Sequence, residues 1–286
     1  MEIPITNEMP TRMRLAVLGA GYVGSAVARE AGARGHTVWA VRRSSARHDL
    51  RDGISWLAGD LATPSIDGLP AQLDAVVLTV APSRGTDGYD ATYPPAARAA
   101  VGIAMERSAR ALVYTSSTGV YGGRNGELVT EASPRLGAGD SNVALIAAED
   151  ILLSASVPSV TVLRVAGIYG PGRDPRGRMQ NATALAQRGE YWTNLAHRDD
   201  IVAAVLHVLH QPAGSRVFNV SDGTPERAAA VARWLAQEDG RDPDELQFGN
   251  DAQRSRNDQR VSNVAIVTSG WSPRYASFRE GFTSGL

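Results

Sequence analysis

Arg14-Leu15-Ala16-Val17-Leu18-Gly19-Ala20-Gly21-Tyr22-Val23-Gly24 joins an apolar strand to a glycine-spaced turn and then to a helical stretch. A lone Gly-x-Gly-x-x-Gly is a weak signal in a chain with 29 glycines. Directly after an apolar strand and directly before a helix, the same spacing acquires physical meaning. Gly19 permits the tight turn, Gly21 lets backbone approach a pyrophosphate, and Gly24 lets helix and strand pack closely. The helix N-terminus at Tyr22 and Val23 then presents amide N–H groups to phosphate oxygens.

Outward from that stretch, short β-branched or Leu-rich runs alternate with Ala-rich helical ones, the signature of a parallel sheet covered on both faces. The expected strands are Arg14–Leu18, Thr37–Val41, Ser55–Ala58, Ala75–Val80, Ala111–Ser116, Ser159–Arg164 and Arg216–Val220. The expected helices are Tyr22–Arg34, Pro95–Arg110, Ser141–Ala155, Asp199–His210 and Glu226–Gln237. Pro94-Pro95 suits a helix start, where proline loses no intrahelical bond. The fold class read from this is α/β, a doubly wound parallel sheet (a Rossmann fold) with a small C-terminal substrate-side lobe. Residues 1–12 form a loose tail, residues 13–165 the dinucleotide-binding core, and residues 166–286 the lobe together with late core elements.

The end of the second strand discriminates between dinucleotides. A site for NAD usually carries a carboxylate about 20 residues past the glycines, to bind the ribose hydroxyls. Here Val41-Arg42-Arg43-Ser44-Ser45 stands in that place, with no acid before Asp49. A guanidinium grips a 2′-phosphate bidentately and can stack on adenine. NADP is therefore favoured over NAD, with Arg42 the better candidate and Arg43 the second. Asp60 and Leu61, after the third strand, are placed near the adenine, although Asp60 reads equally as a helix cap. Val80 and Ala81, after the fourth, are placed beneath the adenosine ribose.

Composition bounds the rest. With 286 residues, 43% hydrophobic, and a mean hydropathy of -0.19, the chain has the make-up of an ordinary soluble globule. Its 29 basic residues are all Arg and nearly balance 30 acids, so neither nucleic acid nor a membrane surface is an expected partner. No apolar run approaches the roughly 20 residues that span a bilayer. The absence of Cys removes disulfides and thiolate chemistry. A cytoplasmic location is the default. No metal site is expected: His207 and His210 lie three apart on a helix with no carboxylate at ligand spacing, and His197 reads as capping the helix that follows, with Asp199 a further N-cap candidate.

The later motifs, taken in order, are more specific than any one alone. They are Thr115-Ser116-Ser117-Thr118-Gly119-Val120-Tyr121-Gly122, Leu163-Arg164-Val165-Ala166-Gly167-Ile168-Tyr169-Gly170-Pro171-Gly172, His197-Arg198-Asp199-Asp200-Ile201-Val202, Phe218-Asn219-Val220-Ser221-Asp222-Gly223, and Arg260-Val261-Ser262-Asn263 with Gly270-Trp271-Ser272-Pro273. With the glycine turn, they make the chain resemble the NAD-dependent epimerase/dehydratase family, the extended and atypical branch of the short-chain dehydrogenases/reductases. The resemblance implies that Ser117 hydrogen-bonds the reacting substrate oxygen and that Tyr169 to Gly172 border the nicotinamide. It also implies a Tyr-x-x-x-Lys pair ahead of a helical Glu. Aligned on Glu149, the two positions hold Ser141 and Leu145, and the chain contains no lysine anywhere.

That lysine normally lowers the tyrosine pKa. An unassisted tyrosine, with a pKa near 10, is ionised in about one molecule per thousand at pH 7. It is a poor base for oxidation but can still serve as a neutral acid during reduction. Tyr121 is the best remaining phenol, ahead of Tyr93 and Tyr89, although packing beside the cofactor strand is the stronger reading of Tyr121. Ser117 likewise reads either as a substrate contact or as a hydroxyl satisfying backbone at a strand end. The loop Arg173–Arg178 reads as a solvated loop or as a grip on an anionic substrate. The leading expectation is an NADP-dependent oxidoreductase reducing a carbonyl or activated double bond of a small or sugar-like molecule. The alternative is a non-catalytic NADP(H)-binding redox sensor or regulatory protein. A homodimer through the Ala-rich helices is permitted.

Overall fold

The structure, a computed structural model, describes residues 9–43, 53–61, 66–82, 88–122, 125–137, 139–174, 176, 189–211, 213–249 and 258–284. Most of the N-terminal tail lies outside these residues, as do Ser44, Ser45, His48, Asp49 and Arg178.

Seven strands form the central sheet: β1 (Arg14–Leu18), β2 (Thr37–Arg42), β3 (Ser55–Ala58), β4 (Ala75–Leu78), β5 (Ala111–Ser117), β7 (Ser159–Val165) and β11 (Gly214–Val220). Their order is β11-β7-β5-β4-β1-β2-β3, so the order reverses about β1 as in doubly wound dinucleotide folds. β1 pairs parallel with β2 and with β4, and it is buried along Leu15–Leu18. β4 and β7 are buried at every position. Burial on both faces explains why these strands read as continuous apolar runs rather than as alternating ones. Helix α1 (Tyr22–Ala33) packs on β1 and β2, and α2 (Tyr89–Glu106) packs on β4 and on α3 (Asp140–Leu153).

Helix α2 differs from expectation. It begins at Tyr89, which places Pro94 and Pro95 inside it rather than at its start. Each proline forfeits one i→i−4 bond early in the helix. Local contacts offset this: Tyr89 and Tyr93, one turn apart, stack with centroids 6.2 Å apart, and the Thr92 hydroxyl donates to the Gly88 carbonyl at 3.1 Å.

The chain divides into two compact units. The first comprises Met1–Ser116, Gly139–Arg164 and Ile201–Phe218; the second comprises Ser117–Ala138, Val165–Asp200 and Asn219–Leu286. Three of the crossings fall at the carboxyl ends of β5, β7 and β11. Within the first unit, a buried ion pair ties α3 to the sheet. The Arg164 guanidinium meets Glu149 with Nη2 to Oε2 at 2.8 Å and Nε to Oε1 at 3.1 Å, and the Ser116 hydroxyl donates to Glu149 Oε1 at 2.7 Å.

The second unit is built from short parallel pairs, β6 (Leu128–Val129) with β13 (Arg260–Val261) and β8 (Gly167–Tyr169) with β10 (Leu195–His197), and from the antiparallel pair β9 (Trp192–Thr193) with β12 (Glu226–Arg227). Its helices include α5 (Ala228–Glu238), α6 (Val264–Thr268) and α7 (Phe278–Ser284), while α4 (Arg198–Val208) carries the chain across the boundary. The expected helix from Glu226 starts two residues later because Glu226 and Arg227 are taken into β12. Tyr169, Leu195, Val231, Leu235, Phe278 and Phe282 form this unit's apolar core, with Trp234 against it.

Candidate functional site

In the first unit, the glycine turn has the stereochemistry its spacing requires. Gly19 sits at φ +86°, where a side chain is strained, and a Cβ there would lie 2.8 Å from Val80 Cγ1. A Cβ on Gly24 would lie 2.6 Å from the Gly19 carbonyl oxygen and closer still to the Thr79 hydroxyl. Both positions therefore demand glycine for helix–strand packing. Gly21 differs, since its nearest neighbour on the Cβ side is 3.9 Å away. The turn is pinned by Gly19 and Ala20 N–H groups donating to the Val41 carbonyl at 3.0 and 2.8 Å, and by the Thr79 hydroxyl donating to the Gly19 carbonyl at 2.9 Å.

Helix α1 begins there without a side-chain cap at Gly21 and without an acid in its first turn. Its first intrahelical bond runs from Ser25 N–H to the Gly21 carbonyl at 2.9 Å. The amides of Tyr22, Val23 and Gly24 thus have no i−4 carbonyl within the helix. An uncapped helix start, acid-free and opened by a glycine with room above it, fits a dinucleotide pyrophosphate.

Arg42 closes β2, and its guanidinium carbon lies 4.8 Å from the ring centroid of Trp56 on β3, which is 6% exposed. Arg29 of α1 approaches the same ring at 5.6 Å. Stacking on a buried indole restrains the Arg42 arm at the end of β2. Arg43 follows it and is exposed. Asp60 is exposed and Leu61 half-buried after β3; Val80 is half-buried against Gly19 and Ala81 is exposed.

The second unit begins at Ser117, the last residue of β5. Its hydroxyl accepts from the Gly119 N–H at 3.1 Å and so caps the 3₁₀ turn Thr118–Tyr121. A hydroxyl accepting one bond retains its own proton to donate. Tyr121 is fully buried and donates to Asn219 Oδ1 at 2.7 Å; Asn219 Nδ2 in turn donates to the Ser262 carbonyl at 3.0 Å. Gln259, also fully buried, donates through Nε2 to the Thr118 carbonyl at 3.1 Å. This amide network under the turn was not read from the sequence. Asn219 lay within a quoted motif, but nothing in one dimension pairs it with Tyr121, 98 residues away.

At the two positions implied for the Tyr-x-x-x-Lys pair, Ser141 is half-buried and Leu145 buried on α3. Tyr93 is pushed up to about 12, by burial first and by Tyr89 second. His197 is fully buried, and its Nδ1 accepts from the Asp199 N–H at 3.2 Å. The imidazole, not Asp199, therefore caps α4. In the arginine-rich loop, Arg176 is paired with Asp174 at 2.9 Å and with Asp239 at 3.4 Å.

A second buried group was also missed. Asp222 is 6% exposed; its Oδ1 accepts from the Thr224 N–H at 2.9 Å, while Oδ2 has no partner among the described residues. Burial lifts its carboxyl to about 7, and Asp200 and Glu226 add to the rise. Burial likewise raises the Tyr169 phenol, whose hydroxyl also has no partner among the described residues, with Asp222 and Asp200 contributing.

Known proteins resemble the chain along most of its length. Protein YeeZ of Escherichia coli (strain K12) is 32% identical over 217 residues, covering 72% of this chain and 77% of YeeZ. A Methylobacillus flagellatus structure carrying an NAD-dependent epimerase/dehydratase description superposes with a TM-score of 0.76 at 27% identity, over 95% of this chain and 97% of that one. The fold is shared with the Bordetella bronchiseptica enzyme WbmG, solved in complex with NAD and UDP, at a TM-score of 0.79 and 19% identity over 95% and 93% of the two chains. The family's sequence profile matches residues 15–221, from β1 through the motif after β11, so the glycine turn, the Ser117 strand end and the Asn219 motif fall in one continuous match, and the chain belongs to the NAD dependent epimerase/dehydratase family.

Proposed function

We propose that the protein is an NADP-dependent oxidoreductase that reduces a carbonyl or activated double bond of a small or sugar-like molecule. One observation carries the cofactor half of this reading. The strand end that would hold a ribose-binding carboxylate holds Arg42 instead, restrained on Trp56 beside an uncapped helix start. The WbmG complex, which contains NAD and UDP, supports a dinucleotide cofactor for this chain.

Bound NADPH would supply a hydride to the acceptor carbon, and a proton must then reach the acceptor oxygen. Ser117 is the chain's own donor to that oxygen, polarising it from the end of β5. The Tyr121 proton lies in a bond to Asn219, and the residue has no exposed surface. Solvent water is therefore the proton source in this proposal, and Tyr121 holds the turn. The chain has no lysine to hold a tyrosine as phenolate, so reduction is the favoured direction.

The experiment is a calorimetric titration of NADP, NADPH, NAD and NADH, followed by a carbonyl screen read as NADPH consumption. Tight NADP(H) binding, selectively lost in Arg42→Asp, supports the reading; equal losses for both dinucleotides sink the phosphate assignment. A second reading, a redox sensor, draws on Ser141 and Leu145 at the implied dyad positions. Unequal affinity for NADP and NADPH, with no hydride loss across the screen, would favour it.

A further inference from the structure

Residues 274–284, which include α7, are fastened to the rest of the second unit by two buried carboxyl groups. Asp200, which is 3% exposed, accepts the Arg274 N–H at 2.6 Å and the Tyr275 N–H at 3.3 Å. Asp222 accepts the Thr224 N–H through Oδ1 and also bonds the backbone N–H of Phe278, the first residue of α7. The Thr224 hydroxyl reaches forward to the Ala276 carbonyl at 2.6 Å. These bonds all converge on the short stretch Arg274–Phe278.

The same segment closes the apolar core beneath it. Tyr275 meets the His197 ring at an angle, with centroids 4.4 Å apart, and Phe282 stacks on Tyr169 at 4.9 Å. A Cβ at Gly281 would collide with the Tyr169 hydroxyl, so α7 lies directly against that phenol. Tyr275, Phe278 and Phe282 are all buried. The Tyr169 hydroxyl and Asp222 Oδ2 are buried with them, and neither has a partner among the described residues.

The charges around Asp222 make its proton decisive. Asp200 faces it from α4 and Glu226 from β12, and both oppose a negative charge there. Arg279 of α7 is paired with Glu226 at 2.8 Å, and Asp222 forms no ion pair among the described residues. Glu280, which accepts the Ala276 N–H at 2.9 Å, faces the Tyr169 phenol together with Asp200 and Asp222. His197 of β10 faces Asp200, while Asp199 is paired with Arg198 at 2.9 Å. Burial outweighs the two backbone N–H bonds and lifts the Asp222 carboxyl to about 7. A carboxylate closed in at this place is a charge without a counter-ion, and water is what would relieve it.

We propose that residues 274–284 form a proton-latched strap, closed over Tyr169 while Asp222 holds its proton and loosened when that proton leaves. Closure is most favoured below pH 3.8, weakens as pH rises to about 7, and is level above it. Tyr169 ends β8 and begins the stretch that the family resemblance sets beside the nicotinamide, so strap opening would loosen that wall in alkaline solution. This last consequence rests on the cofactor reading; the latch itself needs no dinucleotide.

The test is amide hydrogen exchange of the dinucleotide-free protein at pH 5 and pH 8, corrected for the intrinsic rate. Peptides covering residues 274–284 are compared with those of β7. In the parent, the strap should exchange more readily than β7, which shows opening without global unfolding. Its protection should fall roughly fifty- to a hundredfold between the two pH values. Asp222→Asn, which keeps an acceptor for the Thr224 and Phe278 amides, should leave strap protection nearly level with pH. One opening equilibrium shared by strap and β7 would overturn the proposal, as would strap protection in the parent that ignores pH. An undiminished fall in Asp222→Asn would overturn it too, because the proton would then lie on another group. The parent comparison needs no variant, and failure of any dinucleotide to bind would leave all three outcomes readable.

Discussion

Replacing Asp222 by Asn should remove a pH dependence of stability that the buried carboxyl imposes. The Asp222 carboxyl stands at about 7 in the folded protein against an ordinary value of 3.8, with burial as the main cause. The native state thus holds a proton between those values that the unfolded chain releases. The sign follows directly: this group's contribution is most favourable below pH 3.8, declines as pH rises to about 7, and is then level. A difference of about 3 pKa units corresponds to roughly 4 kcal/mol at full ionisation, of which roughly 2.5 kcal/mol should disappear between pH 5 and pH 8. Asn keeps an acceptor for the Thr224 N–H and adds an NH₂ where Oδ2 now has no partner, so its stability should be nearly free of this slope. Urea unfolding followed by circular dichroism at pH 5 and pH 8, for parent and Asp222→Asn, measures the difference. Parallel pH slopes in the two proteins would refute the reasoning, since the proton would then lie elsewhere.

Three further outcomes are expected. Glu149→Leu should cost about 3–5 kcal/mol in urea unfolding, because it strands the Arg164 guanidinium, whose side chain is 4% exposed. Adding Arg164→Met should recover much of that loss, which a purely steric defect would not allow. Gly24→Ala should weaken dinucleotide binding by calorimetry and also lower stability in urea unfolding, since its Cβ would collide with the Gly19 carbonyl and Thr79. Tyr121→Phe leaves Asn219 Oδ1 without its phenol donor and should cost about 1–3 kcal/mol, while NADPH consumption stays within a few-fold of the parent if water is the proton source.

The dinucleotide core was legible because its signals are local. An apolar run, three glycines at fixed spacing and an uncapped helix start all fall within Arg14–Gly24, and each answers to backbone sterics that hold in any context. The seven strands of the central sheet were legible to within a residue or two for the same reason, whereas the short strand pairs of the second unit were not. Arg164 carried a readable hint, since a guanidinium in the fully buried run Ser159–Val165 requires a compensating charge, but its partner, Glu149, was found only as an alignment anchor. Helix α2 defeated the proline rule because the rule weighs one lost hydrogen bond and not the Tyr89–Tyr93 stack that extends the helix backwards.

Residue types, lengths and spacing by themselves determined the parallel α/β sheet, the glycine turn, the arginine in place of a ribose-binding acid, and the lack of any lysine for a proton relay. Tertiary structure alone decided that Tyr121 spends its proton on Asn219 and that Asp222 is buried with an unpartnered oxygen. The physical reason is one of range. Backbone conformation and burial periodicity are settled within a few neighbouring residues, whereas the state of a hydroxyl, carboxyl or guanidinium depends on what distant segments bring to within about 3 Å of it.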